Sequence, residues 1–333
     1  MDYDDSVRSI HRWERPVFSY ELGEILGSWS REGDKAGLVR DGVHSFYTGG
    51  LPIDCLLRSA LGKPLFVFLN PLVNRGPELK LPVFVGQGVC PDPHQASCLC
   101  ISDPTLILAQ DLRVAWFQGF PQFDLPTHIL SIISMYRQAL EAPLVVLCGG
   151  SSAGFASISF LSRIPGCIAL TWNPQIDISK FYPEDVRRYA QLFDRDATET
   201  AAPGILRMHV QTDATATLAL ADRQALFTLQ NASDDHHVRH HWTRLLDFLG
   251  KTGSPNPGWL TPGVFAGMGN WGSGHQPLPR DTLRQLLAFV ATTSVTSLSD
   301  WGGLTCAISE ELRRTIAPAS EGMPRAGASK TVS

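Results

Sequence analysis

The chain has 333 residues, of which 44% are hydrophobic and 18% charged, with a formal net charge of -4. It is long enough to bury a sizeable core, and its weak negative charge gives nucleic acid or an anionic membrane no electrostatic hold. No run reaches the roughly 18 apolar residues of a membrane span. The acidic start at Met1 lacks the apolar stretch of a secretory signal. Seven cysteines without regular spacing predict reduced thiols and a cytoplasmic protein, with Cys148 and Cys167 as core residues.

Residues 1–62 alternate apolar runs with polar turns, which predicts strands at 17–20 and 43–47. The continuous apolar run at 65–69, bounded by Pro64 and by Asn70-Pro71, suits a buried parallel strand, and runs at 114–117, 144–147 and 167–171 are similar. Helical spacing covers 128–140 and 153–163. Residues 173–200 are predicted to be a helical insertion, of the kind that builds an acceptor pocket or lid. Further strands are predicted at 206–210 and 225–229, and helices at 240–249 and 283–290. This alternation implies an α/β protein: a mainly parallel sheet with helices on both faces and a helical insertion. A single domain over 1–314 is predicted, followed by a small, polar, disordered tail over 315–333.

The run at 144–149 breaks into Gly150-Ser151-Ser152-Ala153-Gly154 and continues as a helix. A buried strand entering a Gly-x-Ser-x-Gly turn before a helix is the pattern of a nucleophile elbow. The serine occupies strained backbone, so the residues two before and two after it are small. In this register Ser152 is the reactive hydroxyl and the Ala153 N–H an oxyanion donor. A plain glycine-rich turn is the alternative reading. A phosphate loop is disfavoured because no Lys-Ser/Thr follows the glycines.

A serine hydroxyl needs a base, usually histidine, oriented by a carboxylate. With this elbow the order is serine, acid, histidine, each on a loop after a later strand. The polar turn after 225–229 offers Asp234 or Asp235, either of which could instead cap the next helix. His275 lies in a Gly/Pro-framed loop and is the candidate base. His236 with His240, and His237 with His241, share helical faces at i, i+4. They lack the intervening glutamate of HExxH hydrolases and an evident third ligand, so no metal site is assigned. The second oxyanion donor is sought after residue 69: the backbone of Asn70 or Leu72, or the Asn70 amide. Arg75 and Lys80 are read as solvated residues or as contacts for phosphates or a charged glycan.

Several stretches, in order, resemble a known group over roughly residues 45 to 290. They are Ser102-Asp103-Pro104, Trp116-Phe117-Gln118-Gly119, the elbow, Trp172-Asn173-Pro174-Gln175 with Phe181-Tyr182, Gln230-Asn231 with Asp234 and His237, and Gly274-His275. Together they resemble the α/β-hydrolase superfamily, and within it bacterial capsular-polysaccharide O-acetyltransferases and related glycan-cluster proteins. The resemblance implies Ser152 as nucleophile, Asp234 as acid and His275 as base, with Ala153 and Asn70 at the oxyanion. It places Asn173, Gln175, Trp116 and His237 among substrate-binding residues. It implies acetyl-CoA as co-substrate, a sugar or other hydroxyl as acceptor, and no tightly bound cofactor. The chain departs from the pattern at Asn70-Pro71, where small residues are usual.

Three functions follow as expectations. The first is serine-dependent acyl transfer to a cell-surface glycan or its precursor. The second is a carboxylesterase or deacetylase on the same triad, and the third a non-catalytic accessory protein of glycan biosynthesis. Sequence leaves acyl donor, acceptor and a possible homodimer open.

Overall fold

The computed structural model describes residues 7–28, 37–49, 51–251, 258–261, 263–297 and 300–316. Ten strands form one sheet in the order β1-β2-β3-β5-β4-β6-β7-β8-β10-β9. They are β1 (Val17–Glu21), β2 (Gly42–Thr48), β3 (Leu51–Arg58), β4 (Leu65–Leu69), β5 (Ser97–Ile101), β6 (Val145–Gly150), β7 (Cys167–Trp172), β8 (Gln224–Asn231), β9 (Gly258–Thr261) and β10 (Val264–Gly269). From β5 through β4, β6, β7 and β8 to β10 every pairing is parallel. The β2–β3, β3–β5 and β10–β9 pairings are antiparallel.

The central strands are apolar on both faces because both are covered. Leu65, Val67 and Leu69 of β4 and Val145 and Leu147 of β6 pack into one core, which includes Ile129 and Ile133 of helix Leu125–Ala139 and Phe155 and Ile158 of helix Ser151–Leu161. The alternate residues Phe66, Phe68, Val146 and Cys148 pack into a second core with Leu286 and Leu287 of helix Arg280–Ser297 and Ile308 of helix Trp301–Ile316.

The insertion lies between β7 and β8 and is helical at Ile178–Lys180, Pro183–Ala190 and Ala202–His209. The strand predicted at 206–210 is therefore mostly helix: Ala202, Ile205 and Leu206 are buried at helical spacing. The strand predicted at 114–117 is also absent. That run is buried, but Trp116 and Phe117 have φ of 52° and 58°, and the Phe117 N–H donates to the Asp103 carboxylate at 2.8 Å. Apolarity alone could not distinguish a buried turn from a strand. In place of that strand β5, residues 97–101, fills the sheet.

Cys90 and Cys98 form a disulfide, which corrects the expectation of reduced thiols throughout; Cys148 and Cys167 are buried and free. Of the predicted tail, residues 317–333 lie outside the described residues, and 315 and 316 end a helix. No helix among the described residues is long and apolar enough to cross a membrane.

Candidate active site

Five polar residues follow the carboxyl ends of parallel strands: Asn70 after β4, Ser151 after β6, Asn173 after β7, Asp234 after β8 and His275 after β10. In open α/β sheets this edge is where ligands bind. A cavity of about 610 Å³ opens there, lined by Ser151, His275, Asn173, Trp172, Tyr182 and Arg113 among others.

The elbow turns at Ser151, one residue before the expected position. Ser151 has φ of 55°, in the left-handed region that β-carbon-bearing residues avoid. A Cβ on Gly149 would lie 2.5 Å from the Ala153 backbone, so the small residues two before and two after Ser151 are a steric need. Ser152 is already inside the helix, 1% exposed, and its hydroxyl has no hydrogen-bond partner among the described residues. The assignment of Ser152 as the reactive hydroxyl is thus corrected by position: its hydroxyl is interior, and the strained serine lining the cavity is Ser151. The glycines of the Gly-x-Ser-x-Gly register have a packing role of their own. A side chain on Gly150 would strike the Trp172 indole, and one on Gly154 would come 2.8 Å from Pro174.

The Ser151 hydroxyl accepts from Gln175 Nε2 at 3.0 Å, and Gln175 Oε1 accepts from Trp116 Nε1 at 2.5 Å. Both residues are fully buried or nearly so. Predicted as substrate contacts, they instead form a relay that fixes the serine oxygen and leaves its proton free to be given away. Asn173 lines the cavity, but its amide is a strut: Nδ2 donates to the Gln276 carbonyl at 2.8 Å and Oδ1 accepts from Asn231 N–H at 2.7 Å.

His275 Nδ1 donates to Asp234 Oδ2 at 2.5 Å, leaving the Nε2 lone pair available as a base. The same carboxylate caps the next helix through the His237 N–H, at 3.2 Å. His237 Nδ1 lies 3.2 Å from Oδ1 and 3.1 Å from Oδ2. Burial alone would raise the Asp234 pKa. Hydrogen bonds from His237 and His275, and the charges of both rings, outweigh it and hold the carboxyl well below the usual range. His237, expected at the substrate, is fully buried and stacks on His275 with centroids 3.9 Å apart and planes 15° apart. It therefore sits behind the His275 ring rather than in the cavity.

Three clamps missed by sequence reasoning shape the His275 loop. Asn231 Nδ2 donates to the carbonyls of Gly272 and Gly274 at 3.0 and 2.8 Å, Ser233 Oγ bonds the Gly272 carbonyl, and Trp271 Nε1 donates to Gln276 at 2.9 Å. Asn70 is likewise engaged: its Oδ1 accepts from Asp103 N–H at 2.7 Å and its Nδ2 donates to Pro71 at 3.0 Å. Its amide holds the turn, and the described cavity lining includes Pro71 and Leu72 but not Asn70.

No protein-family profile and no curated protein matches the sequence. Solved structures do match. The capsule O-acetyltransferase of Neisseria meningitidis serogroup A superposes with a TM-score of 0.52 at 12% identity, over 74% of this chain and 96% of that one. A histidine-to-alanine mutant of the same enzyme in complex with CoA gives 0.50 at 12% identity, over 73% and 95%. The chain shares with them an α/β fold built on a mainly parallel sheet with helices on both faces. At such identity the likeness is one of fold, and function has to be argued from the site.

In an α/β-hydrolase fold, the residue after the nucleophile supplies the first oxyanion N–H. The N–H that follows Ser151 is that of Ser152, in the first helical turn where amides lack intrahelical partners; the Ala153 N–H lies one residue further on. Leu72, beyond Pro71, lines the cavity.

The histidines after Asp234 make packing and hydrogen-bond contacts within the fold. His236 stacks on Tyr182 at 5.0 Å. His241 is fully buried, and its Nδ1 accepts from Ile176 N–H at 3.2 Å, tying the insertion to the helix behind the acid. Asp234, His237 and His275 have ligand atoms within 4.8 Å of one another, and the Nδ1 atoms of both rings are engaged with the Asp234 carboxylate. Burial pushes His241 down to about 2. Because its folded pKa lies below the unfolded value near 6.5, the unfolded chain binds the proton first. Stability is therefore full above about pH 6.5 and falls with acidification, by on the order of 3 kcal/mol by pH 4 from this ring alone. His241→Asn keeps an acceptor for Ile176 and has nothing to titrate. Its urea midpoint should change less between pH 7 and 4 than that of the wild type; equal slopes would remove His241 as the cause.

Proposed function

We propose that Ser151, His275 and Asp234 act as nucleophile, base and acid, and that the chain is a serine-dependent acyltransferase. The observation that carries this reading is the left-handed Ser151 at the end of β6, opening on the same cavity as a histidine whose other nitrogen is held by a buried carboxylate. His275 Nε2 takes the Ser151 proton as Oγ attacks a thioester carbonyl. The oxyanion is met by the N–H groups of Ser152 and Leu72. The carbon–sulfur bond breaks, the thiol leaves with the proton held by His275, and the acyl group stays on Ser151. An acceptor hydroxyl then gives its proton to His275 and takes the acyl group, restoring the serine.

Acetyl-CoA is the proposed donor and a hydroxyl of a cell-surface glycan or its precursor the proposed acceptor. Support comes from the fold shared with a capsule O-acetyltransferase, which is itself solved with CoA. The rival is hydrolysis by water on the same triad. It is favoured by the exposure of His275, whose side chain is 37% accessible. Product analysis separates the two. Acetyl-CoA incubated with and without glycan acceptors should give acetylated glycan; free acetate alone in both mixtures would replace transferase by hydrolase.

A further inference from the structure

The apolar cavity that holds Ser151 has one permanently charged side chain among its described lining residues, Arg113. Its Nε and Nη2 donate to the two carboxylate oxygens of Asp185 at 2.9 and 2.7 Å. Asp185 is 2% exposed while Arg113 is 38% exposed, so the carboxylate lies beneath and the guanidinium faces outward. The backbone is pinned too, since the Arg113 carbonyl accepts from Val73 N–H at 2.9 Å, just beyond the end of β4.

A guanidinium has five N–H donors in a planar fork, and Asp185 takes two. The Nη1 edge has no acceptor among the described residues. Asp185 balances the charge but also fixes the plane, so that little rotamer entropy is lost when a second anion binds. Three residues before Asp185, at the cap of helix Pro183–Ala190, Tyr182 lines the same cavity and is 47% exposed. Arg75, which the sequence offered for this role, gives its donors to the carbonyls of Gln110 and Leu106 and does not line the cavity.

We infer that Arg113, oriented by Asp185, is an anion-recognition residue of this cavity and takes a phosphate or carboxylate group of the substrate. The inference rests on the reading of the cavity as the substrate site. The anion belongs either to the donor, as a CoA phosphate, or to the acceptor, as an acidic sugar.

Binding calorimetry on the full chain tests this without relying on turnover. The probes are two matched pairs, CoA against pantetheine and glucuronate against glucose. One anionic member should bind the wild type at least about 10-fold more tightly than its neutral counterpart, and Arg113→Gln should erase that preference. A preference confined to CoA places the anion on the donor, and one confined to glucuronate places it on the acceptor. Equal affinity within both pairs, or a preference that survives Arg113→Gln, overturns the inference. Arg113→Gln leaves Asp185 buried without its partner. If that variant fails to fold, Arg113→Lys keeps the charge and removes the fork, and it should still weaken the preferred anion several-fold; an unchanged preference again overturns the inference. Loss of ester turnover in the wild type with the anion preference intact would sink the acyltransferase reading alone.

Discussion

Ser151→Ala should lower acyl-ester turnover by on the order of 10⁴-fold or more, while Ser152→Ala stays within about 10-fold of the wild type. The contrast follows from where each hydroxyl lies. Ser151 Oγ is bonded to Gln175 at the cavity wall, whereas Ser152 Oγ is buried with no partner among the described residues. Losing the first removes the covalent step, and the residual rate is what the oxyanion donors and binding supply. Losing the second removes a buried hydroxyl that has no partner to lose, which costs little or even stabilises, and leaves the Ser152 N–H in place. p-Nitrophenyl acetate hydrolysis and labelling by a fluorophosphonate probe both report the difference. Labelling that persists in Ser151→Ala and vanishes in Ser152→Ala would return the nucleophile to the register first read from the sequence.

Two registers of the elbow fit the same residues. Gly149-Gly150-Ser151-Ser152-Ala153-Gly154 satisfies the small-x-Ser-x-small rule twice, once around each serine. Composition has no means of choosing. The choice is made by how far β6 continues, to Gly150, before the chain turns, and by Trp172 and Pro174 of the next strand's exit needing close approach at Gly150 and Gly154. The strands at 65–69, 144–147 and 225–229 were legible because burial on both faces leaves a continuous apolar run. The run at 114–117 looks the same, yet a carboxylate 14 residues upstream bends it.

Long-range polar pairs left no local pattern at all. Arg113 and Asp185 are 72 positions apart, and Asn231 clamps a loop 41 and 43 positions on. His275 could be proposed from order and loop position, which narrowed the acid to Asp234 or Asp235; only the family resemblance pointed to Asp234. Their 2.5 Å approach, and the second imidazole stacked behind the base, belong to the folded chain.

Asp234→Asn should lower turnover by about 10⁴-fold, the scale seen when a triad acid loses its charge, and here the direction of the amide can be argued. The carboxylate serves two sides. Oδ1 accepts from the His237 backbone N–H and faces His237 Nδ1, while Oδ2 accepts from His275 Nδ1. An asparagine has one acceptor oxygen. It gains most by turning that oxygen toward His237, where two donors converge, and so presents its NH₂ to His275. His275 Nδ1 is then forced to accept, its proton moves to Nε2, and the nitrogen that should take the Ser151 proton becomes a donor. The wild-type arrangement is protected against acid as well. The Asp234 carboxyl is held well below its ordinary range, so it stays ionised throughout the pH interval in which histidine titrates. The ionisation limiting activity at low pH should therefore be that of an imidazole and not of this carboxylate. Measuring kcat/KM for p-nitrophenyl acetate from pH 5 to 9 in both proteins tests the argument. Asp234→Asn within about 10-fold of the wild type near neutral pH would show that His275 keeps its tautomer without the charge, and the acid role of Asp234 would be lost.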